Sequence, residues 1–239
     1  MCTISLGPHP DSMNGFILTS NRDEAVSRKT LPPQKEVYKN TKLFFPKDEK
    51  AGGTWIGVSE NCRCICLMNG AETPHTRKPE YRKSRGVVVK DFLAAYKLKE
   101  IMKEYDIEDI EPFTMILVEW GNGLIFYELL WDGENRKITK LPLKDHIWSS
   151  SPLYSKEMKA LRKKWFKELK ESKGFSAQSL LDFHHNAGEG KKEYDLIIDR
   201  GFLRTQSITQ VKNSTKGLKF KYENLESKEL VEEYFQFNA

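Results

Sequence analysis

The amino-acid sequence predicts an α+β fold in which sheets are covered by helices. Three stretches carry this reading. Phe113 to Trp120 is a continuous β-prone run, and Gly121-Asn122-Gly123 closes it into a hairpin with Leu124 to Leu130. Cys62 to Met68 is apolar on both faces over much of its length, as a strand covered on both sides must be, although Arg63 interrupts it. Tyr154 to Glu171 is an amphipathic helix, with Met158, Leu161, Trp165, Phe166 and Leu169 near one face and basic residues on the other. The 239 residues suffice for one sizeable core or two small domains. No long linker or internal repeat divides them, so one domain over 1–239 is the simplest organisation.

The remaining elements follow in order. Thr3 to Leu6 is a short strand, and residues 7–12 form a loop by composition. Asn14-Gly15 turns into the strand Phe16 to Thr19, giving a hairpin that brings Asn21-Arg22-Asp23-Glu24, read as a polar turn, alongside Cys2. Lys29 to Lys42 reads as loop with one extended piece. Gly52-Gly53 permits close backbone approach before the strand Thr54 to Val58. The cysteine-rich strand ends at Asn69-Gly70-Ala71, where Asn69 can aim its amide into a site mouth. Pro74 to Ser84 is polar and basic. Val87 to Tyr105 reads as one helix. Ile138 to Leu143 and His146 to Trp148 are short extended pieces leading to Ser149-Ser150-Ser151. No G-x-S-x-G surrounds these serines, which suits positioning or capping. Ser176 to His184 is a short helix, with His184-His185 assigned to the surface. Tyr194 to Ile198 suits a strand or the end of a packing region. Phe202 to Thr209 alternates as a strand, from which Arg204 can approach the site, and Leu218 to Tyr222 follows a turn at Lys216-Gly217. Leu230 to Phe237 is a closing strand.

Composition excludes several functions. Hydrophobic content of 38%, charged content of 31% and a net charge of +5 fit a soluble globular protein rather than a disordered or membrane chain. No run approaches the ~18 apolar residues of a membrane span, and no secretory leader is visible, so a cytoplasmic location is expected. The basic helix face reads as solvated, not as a nucleic-acid surface. Cys62, Cys64 and Cys66 alternate along one strand, too straight a row to surround an ion, and CxxC pairs are absent. They and Cys2 read as small buried residues of a reducing compartment, with no metal expected. The paired glycines lack the partners of a phosphate or dinucleotide loop, so no cofactor is expected.

The chemistry-bearing stretch is Met1-Cys2-Thr3. Removal of Met1 would leave Cys2 with both a thiol and a free amine. Their ordinary pKa values, ~8.5 and ~7.7–8, let the amine take the thiol proton near neutral pH. Nucleophile and general base would then share one residue. Arg22 offers a bidentate fork for a carboxylate, and a carboxylate in the same stretch can hold an ammonium. The bland alternative is a cap and a solvated turn.

Taken together, Met1-Cys2-Thr3, Leu18 to Glu24, Gly52 to Gly57, Leu67 to Ala71, the serines after Trp148 and Arg204-Thr205-Gln206-Ser207 resemble the NRDE family, also called the transport and Golgi organisation protein 2 family, over nearly the whole chain. The resemblance implies a four-layer αββα sandwich of the N-terminal nucleophile hydrolase type. Its nearest enzymatic relatives are penicillin V acylases, bile-salt hydrolases and acyl-coenzyme A:6-aminopenicillanic acid acyltransferases. It implies Cys2 as nucleophile, Arg22 and Asp23 lining the site, Asn69 at the oxyanion and Arg204 at the amino-terminal end. Asn21, Glu24, Gly70, Ser149 and Ser150 would shape the site. Relatives often carry asparagine where Ser149-Ser150-Ser151 stands here, and Gln206 replaces a serine. The implied activity is hydrolysis of a linear amide, or another non-peptide C–N bond, of a small acyl or anionic substrate, with a thioester allowed by the same chemistry. A homo-oligomer is compatible with the resemblance. The alternative is a non-catalytic binding or trafficking protein, since eukaryotic relatives are linked to haem trafficking and lipid metabolism.

Overall fold

A computed structural model describes residues 2–236. Met1, whose removal the chemistry requires, and Phe237, expected to end the last strand, lie outside them. In chain order the elements are β1 (Cys2–Pro8), β2 (Phe16–Ala25), β3 (Thr30–Tyr38), β4 (Thr41–Asp48), β5 (Ile56–Ser59) and β6 (Arg63–Asn69). There follow α1 (Arg85–Ala94), α2 (Leu98–Glu104), β7 (Phe113–Glu119), β8 (Ile125–Trp131), β9 (Arg136–Leu141) and β10 (His146–Ser149). The chain continues with α3 (Lys156–Lys173), α4 (Ala177–Asn186), β11 (Leu203–Ser214), β12 (Gly217–Asn224) and β13 (Leu230–Phe235). They form two compact units: residues up to Ser27 with those from Leu143 onward, and Arg28–Pro142.

The first unit is a six-stranded sheet in the order β10-β1-β2-β11-β12-β13, antiparallel at each pairing. Phe166 of α3 and Leu180 and Phe183 of α4 bury against Ile17 of β2 and Leu196. Each such side chain contributes roughly 1.5–3 kcal/mol when fully buried. Ser155 caps α3, and Gly174 ends it with φ of +71°. Ser176 and Ser179 form a reciprocal capping box at the start of α4. Gly7 has no room for a side chain, since a Cβ there would lie 2.6 Å from the Phe175 ring. Tyr194 to Ile198 forms no strand but a turn, with Tyr194 and Asp195 amides bonded back to the Lys191 carbonyl at 3.1 and 3.0 Å.

The second unit is a seven-stranded antiparallel sheet in the order β3-β4-β5-β6-β7-β8-β9. Ile65, Leu67, Met115 and Leu117 pack with Val88, Val89, Phe92 and Leu93 of α1. Three expectations need correction here. Lys29 to Lys42 contains β3 and the start of β4; Pro32 and Pro33 fit because β3 is a sheet edge with an irregular register between Leu31 and Gln34. Cys62 precedes β6 in a turn at φ +52°, so only Cys64 and Cys66 alternate within the strand. Val87 to Tyr105 is two helices, because side chains of β4, β6 and the turn before β6 take the carbonyls at the end of α1. Buried Arg63 donates to Phe92 and Ala95 carbonyls, both at 2.7 Å, Asn61 donates to Ala95 and Thr41 to Ala94. Gly53 lies so close to the first turn of α1 that a Cβ would meet the Gly86 carbonyl carbon at 2.4 Å. No described helix is long and apolar enough to cross a membrane.

Candidate active site

The Asn21-to-Glu24 stretch is not a turn. It is the continuation of β2, bonded to β1 on one side and β11 on the other. The ladders satisfy its backbone, so four polar residues can run through a buried strand. Cys2 pairs with Arg22, and Thr3 with Asn21. Arg22 in turn pairs with Ser207, and Asp23 with Thr205. On the other side of β1, the Ser150 amide donates to the Cys2 carbonyl at 3.0 Å. Strand alternation then splits the signature. Arg22 and Glu24 share the face of Cys2, while Asn21 and Asp23 point to the face that carries α3 and α4.

On the helix-bearing face Asp23 is fully buried. Tyr154 donates to its Oδ2 at 2.6 Å and Thr205 to its Oδ1 at 2.7 Å. Burial pushes the Asp23 carboxyl up, against Arg162, Tyr154 and Thr205, which pull it down. Arg162 is also buried. It donates to Thr3 and to the carbonyls of Tyr194 and Asp195, and its guanidinium lies 3.6 Å from the Tyr154 ring centroid. Thr3 accepts from Arg162 and shares a second hydrogen bond with the Ser149 hydroxyl at 3.2 Å. Asn21 donates to the carbonyls of His184 and Leu196 at 3.1 and 2.8 Å, so its Oδ1 accepts from His184 Nδ1 at 2.6 Å. His184 is then protonated at Nδ1, and its Nε2 accepts from Ser5 at 2.8 Å. Far from the surface, His184 is 0% exposed, and burial lowers its pKa to about 3.

On the opposite face Cys2 is 1% and Arg22 3% exposed. Burial pushes the Cys2 thiol up; Asp23 adds to this, while Arg22 and the nearby Ser20 hydroxyl oppose it. Arg22 donates to Gln206 Oε1, and Gln206 Nε2 donates to the Ala25 carbonyl at 2.6 Å. Gln206 can turn to Arg22 because it is the extra residue of a bulge between Thr205 and Ser207. Glu24 is half-buried and accepts from the Ala25 amide at 3.0 Å. Ser150 is buried at the level of Cys2. Arg204 pairs in register with Glu24, but its side chain is exposed in an ion pair with Asp199 at 2.9 Å. Asn69 ends β6 in the second unit, half-buried opposite Phe113. Gly70, with φ of +80°, donates to the Pro112 carbonyl at 2.8 Å and accepts from Thr114 at 2.9 Å, so both its backbone groups are engaged.

Sequence reasoning missed Tyr154, Arg162, His184, Thr205 and Gln206 as partners of the signature. For Arg162 a signal existed: it falls between Met158 and Phe166 at i+4 spacing, on the apolar stripe. All four cysteines are buried thiols. Among the described residues no group of three His, Cys, Asp or Glu side chains could hold a metal.

A family model described as Transport and Golgi organisation 2 matches residues 1–232. No curated protein matches the chain. Solved structures with a similar fold include the C2A mutant of conjugated bile acid hydrolase from Clostridium perfringens, at 9% identity and a TM-score of 0.60, covering 100% of this chain and 94% of that one. Penicillin V acylase from Agrobacterium tumefaciens aligns at 11% identity and a TM-score of 0.59, covering 98% and 86%. A Caenorhabditis elegans N-acylethanolamine-hydrolyzing acid amidase ortholog aligns at 10% and 0.57, covering 87% and 92%. At these identities the likeness shows the fold alone, an α+β architecture of the αββα type with two sheets flanked by helices.

Proposed function

The chain belongs to the Transport and Golgi organisation 2 family, and from that premise we propose that it is a cysteine hydrolase of the N-terminal nucleophile type, acting on a non-peptide C–N bond of a small acyl substrate. The carrying observation is the Cys2–Arg22 pair in a buried antiparallel ladder, with Asp23 one step beyond it. Removal of Met1 frees the Cys2 amine next to its own thiol. The amine takes the thiol proton as sulfur attacks the carbonyl carbon, and the carbonyl electron pair moves to oxygen. Collapse breaks the C–N bond, the ammonium proton goes to the leaving nitrogen, and a thioester remains. Water attacks this thioester with the amine as base, releasing the acid and restoring the thiol. Asp23, held by Tyr154 and Thr205, orients the ammonium, and Gln206 fixes Arg22 for a substrate group. The oxyanion role of Asn69 rests on the family resemblance. The three proteins of similar structure are named for hydrolysis or acylase chemistry, which supports this class.

A binding protein is the second reading. Burial favours the protonated Cys2 thiol, and serine stands where relatives carry asparagine. Intact mass after brief iodoacetamide treatment separates the two, using native protein, Cys2→Ala and a form that keeps Met1. The hydrolase reading expects single labelling at Cys2, only after Met1 loss and faster than free cysteine at the same pH. Labelling no faster than free cysteine leaves binding as the function.

A further inference from the structure

The sheet face that holds Cys2 is graded from polar to apolar. Antiparallel register sets its residues in rows across the strands. The first row runs Cys2, Arg22, Ser207 and Asn224; the second runs Ile4, Ser20, Thr209 and Tyr222; the third runs Leu6, Leu18, Val211 and Phe220. Ser20, Ser207 and Thr209 are each 1% exposed or less; Ser20 lies against the Cys2 thiol and Ser207 against the Tyr222 hydroxyl without completing a hydrogen bond, and Thr209 has no partner among the described residues. A buried hydroxyl without a partner costs about 1–3 kcal/mol. Three of them side by side, around a buried guanidinium, are an arrangement that a packed core alone does not favour. Elsewhere in the same sheet polar side chains are satisfied: Thr3, Ser5, Asn21, Asp23, Thr205 and Gln210 all have partners.

We propose that Arg22, Ser20, Ser207 and Thr209 form a carboxylate subsite, so that the substrate of Cys2 is an amide carrying a carboxylate one to two strand spacings, about 5–10 Å, from its reacting carbonyl. This rests on the hydrolase reading and narrows its substrate class. A carboxylate can accept from several donors at once, and charge-assisted bonds are the strong ones. Arg22 supplies the charge, Gln206 its direction, and the hydroxyls the remaining donors. Asp23 is felt at Cys2, but its side chain lies on the other face, where Tyr154 and Thr205 donate to it and Arg162 offsets its charge. Among the described residues of β2, Glu24 is the carboxylate on the Cys2 face next to Arg22, and it accepts from the Ala25 amide.

The test compares Cys2 labelling by N-iodoacetyl-β-alanine and by its neutral carboxamide. In both, sulfur displaces iodide from the same carbon, so an S–C bond forms, a C–I bond breaks and the thiol proton is released. The charged probe is expected to label Cys2 about tenfold faster than the neutral one, after division by their ratio on free cysteine, the size of one charge-assisted hydrogen bond. Combining Ser207→Ala with Thr209→Val should cut that preference by at least about threefold, two neutral hydrogen bonds being lost. Thr209→Ser, which keeps the hydroxyl, should retain it. A preference equal to that of free cysteine, with fast labelling by the neutral probe, overturns the carboxylate subsite and leaves the nucleophile standing. Slow labelling by both probes overturns the hydrolase reading on which it rests.

Discussion

The two sheets bury polar groups for different ends. In the second unit the central strands are apolar, and buried Arg63 is spent on carbonyls that end α1 and on Glu119 at 3.1 Å. Its Nη1 donors do what a helix end requires, while its buried Nε has no hydrogen-bond partner among the described residues. In the first unit β2 buries Thr19, Ser20, Asn21, Arg22 and Asp23 in succession. Thr19, Asn21 and Asp23 are bonded on the helix-bearing side, while Ser20 and Arg22 stand beside Cys2, and the Ser20 hydroxyl is incompletely bonded. Burying polar groups costs stability unless each finds a partner. A strand that does so over five successive residues, with the deficit on one face only, separates scaffold from site.

The comparison breaks first at Arg162. Arg162→Ala would remove the cation that pulls the Asp23 carboxyl down and leave the Thr3 hydroxyl and the Tyr194 and Asp195 carbonyls without their donor. Stranding three acceptors at about 1–3 kcal/mol each predicts about 3–5 kcal/mol of lost unfolding free energy, read from urea titration. Arg63→Met in the other sheet should cost less, about 2–3 kcal/mol, because its ion-pair partner Glu119 is partly exposed and can be solvated, which leaves mainly the helix-end carbonyls uncovered. If Arg63→Met proves the more damaging, the contrast between the two sheets is wrong.

The sheet-forming stretches were legible where period and turn chemistry agree. Phe113 to Trp120 and its hairpin partner appear as β7 and β8, and the amphipathic run appears as α3, shifted by a residue or two. Asn21 to Glu24 misled because a run of polar residues after an apolar strand reads as a turn. Only the ladders with β1 and β11, distant in sequence, show that it is buried strand. His184 misled in the same way. Its partners, Ser5 and Asn21, are 179 and 163 residues away, and no local spacing announces them. The Cys2–Arg22 juxtaposition was legible through the hairpin; the split of the signature between two faces follows from counting strand alternation through a stretch not recognised as strand.

His184 sharpens the comparison through pH. Its folded pKa of about 3 lies below the unfolded value of ~6.5. The unfolded chain therefore binds the proton first. Stability from this group is complete above about pH 6.5, falls as pH drops from there, and is lost by about pH 3. Between pH 7 and pH 5 the loss should approach about 2 kcal/mol. His184→Gln removes the titration, so its urea midpoint should lose that part of the slope. An unchanged slope would show that His184 is not the buried neutral group described.

The smallest effect has the most informative sign. Thr209 carries one of the incompletely bonded hydroxyls, and valine matches its shape without the oxygen. Where a buried hydroxyl has a partner, Thr→Val destabilises, because the partner is left behind. Where it has none, the same change removes a desolvated polar group and should stabilise by about 1 kcal/mol. Thr205→Val serves as the opposite case on the same strand, since its hydroxyl donates to Asp23 at 2.7 Å and accepts from the Ile198 amide at 2.9 Å. Urea unfolding without added ligand should therefore show Thr209→Val more stable than the native chain and Thr205→Val less stable. Sites held open for a substrate commonly trade stability for function. If both valines destabilise, Thr209 is bonded in the resting protein, and the deficit that marks the Cys2 face as a site disappears at this position.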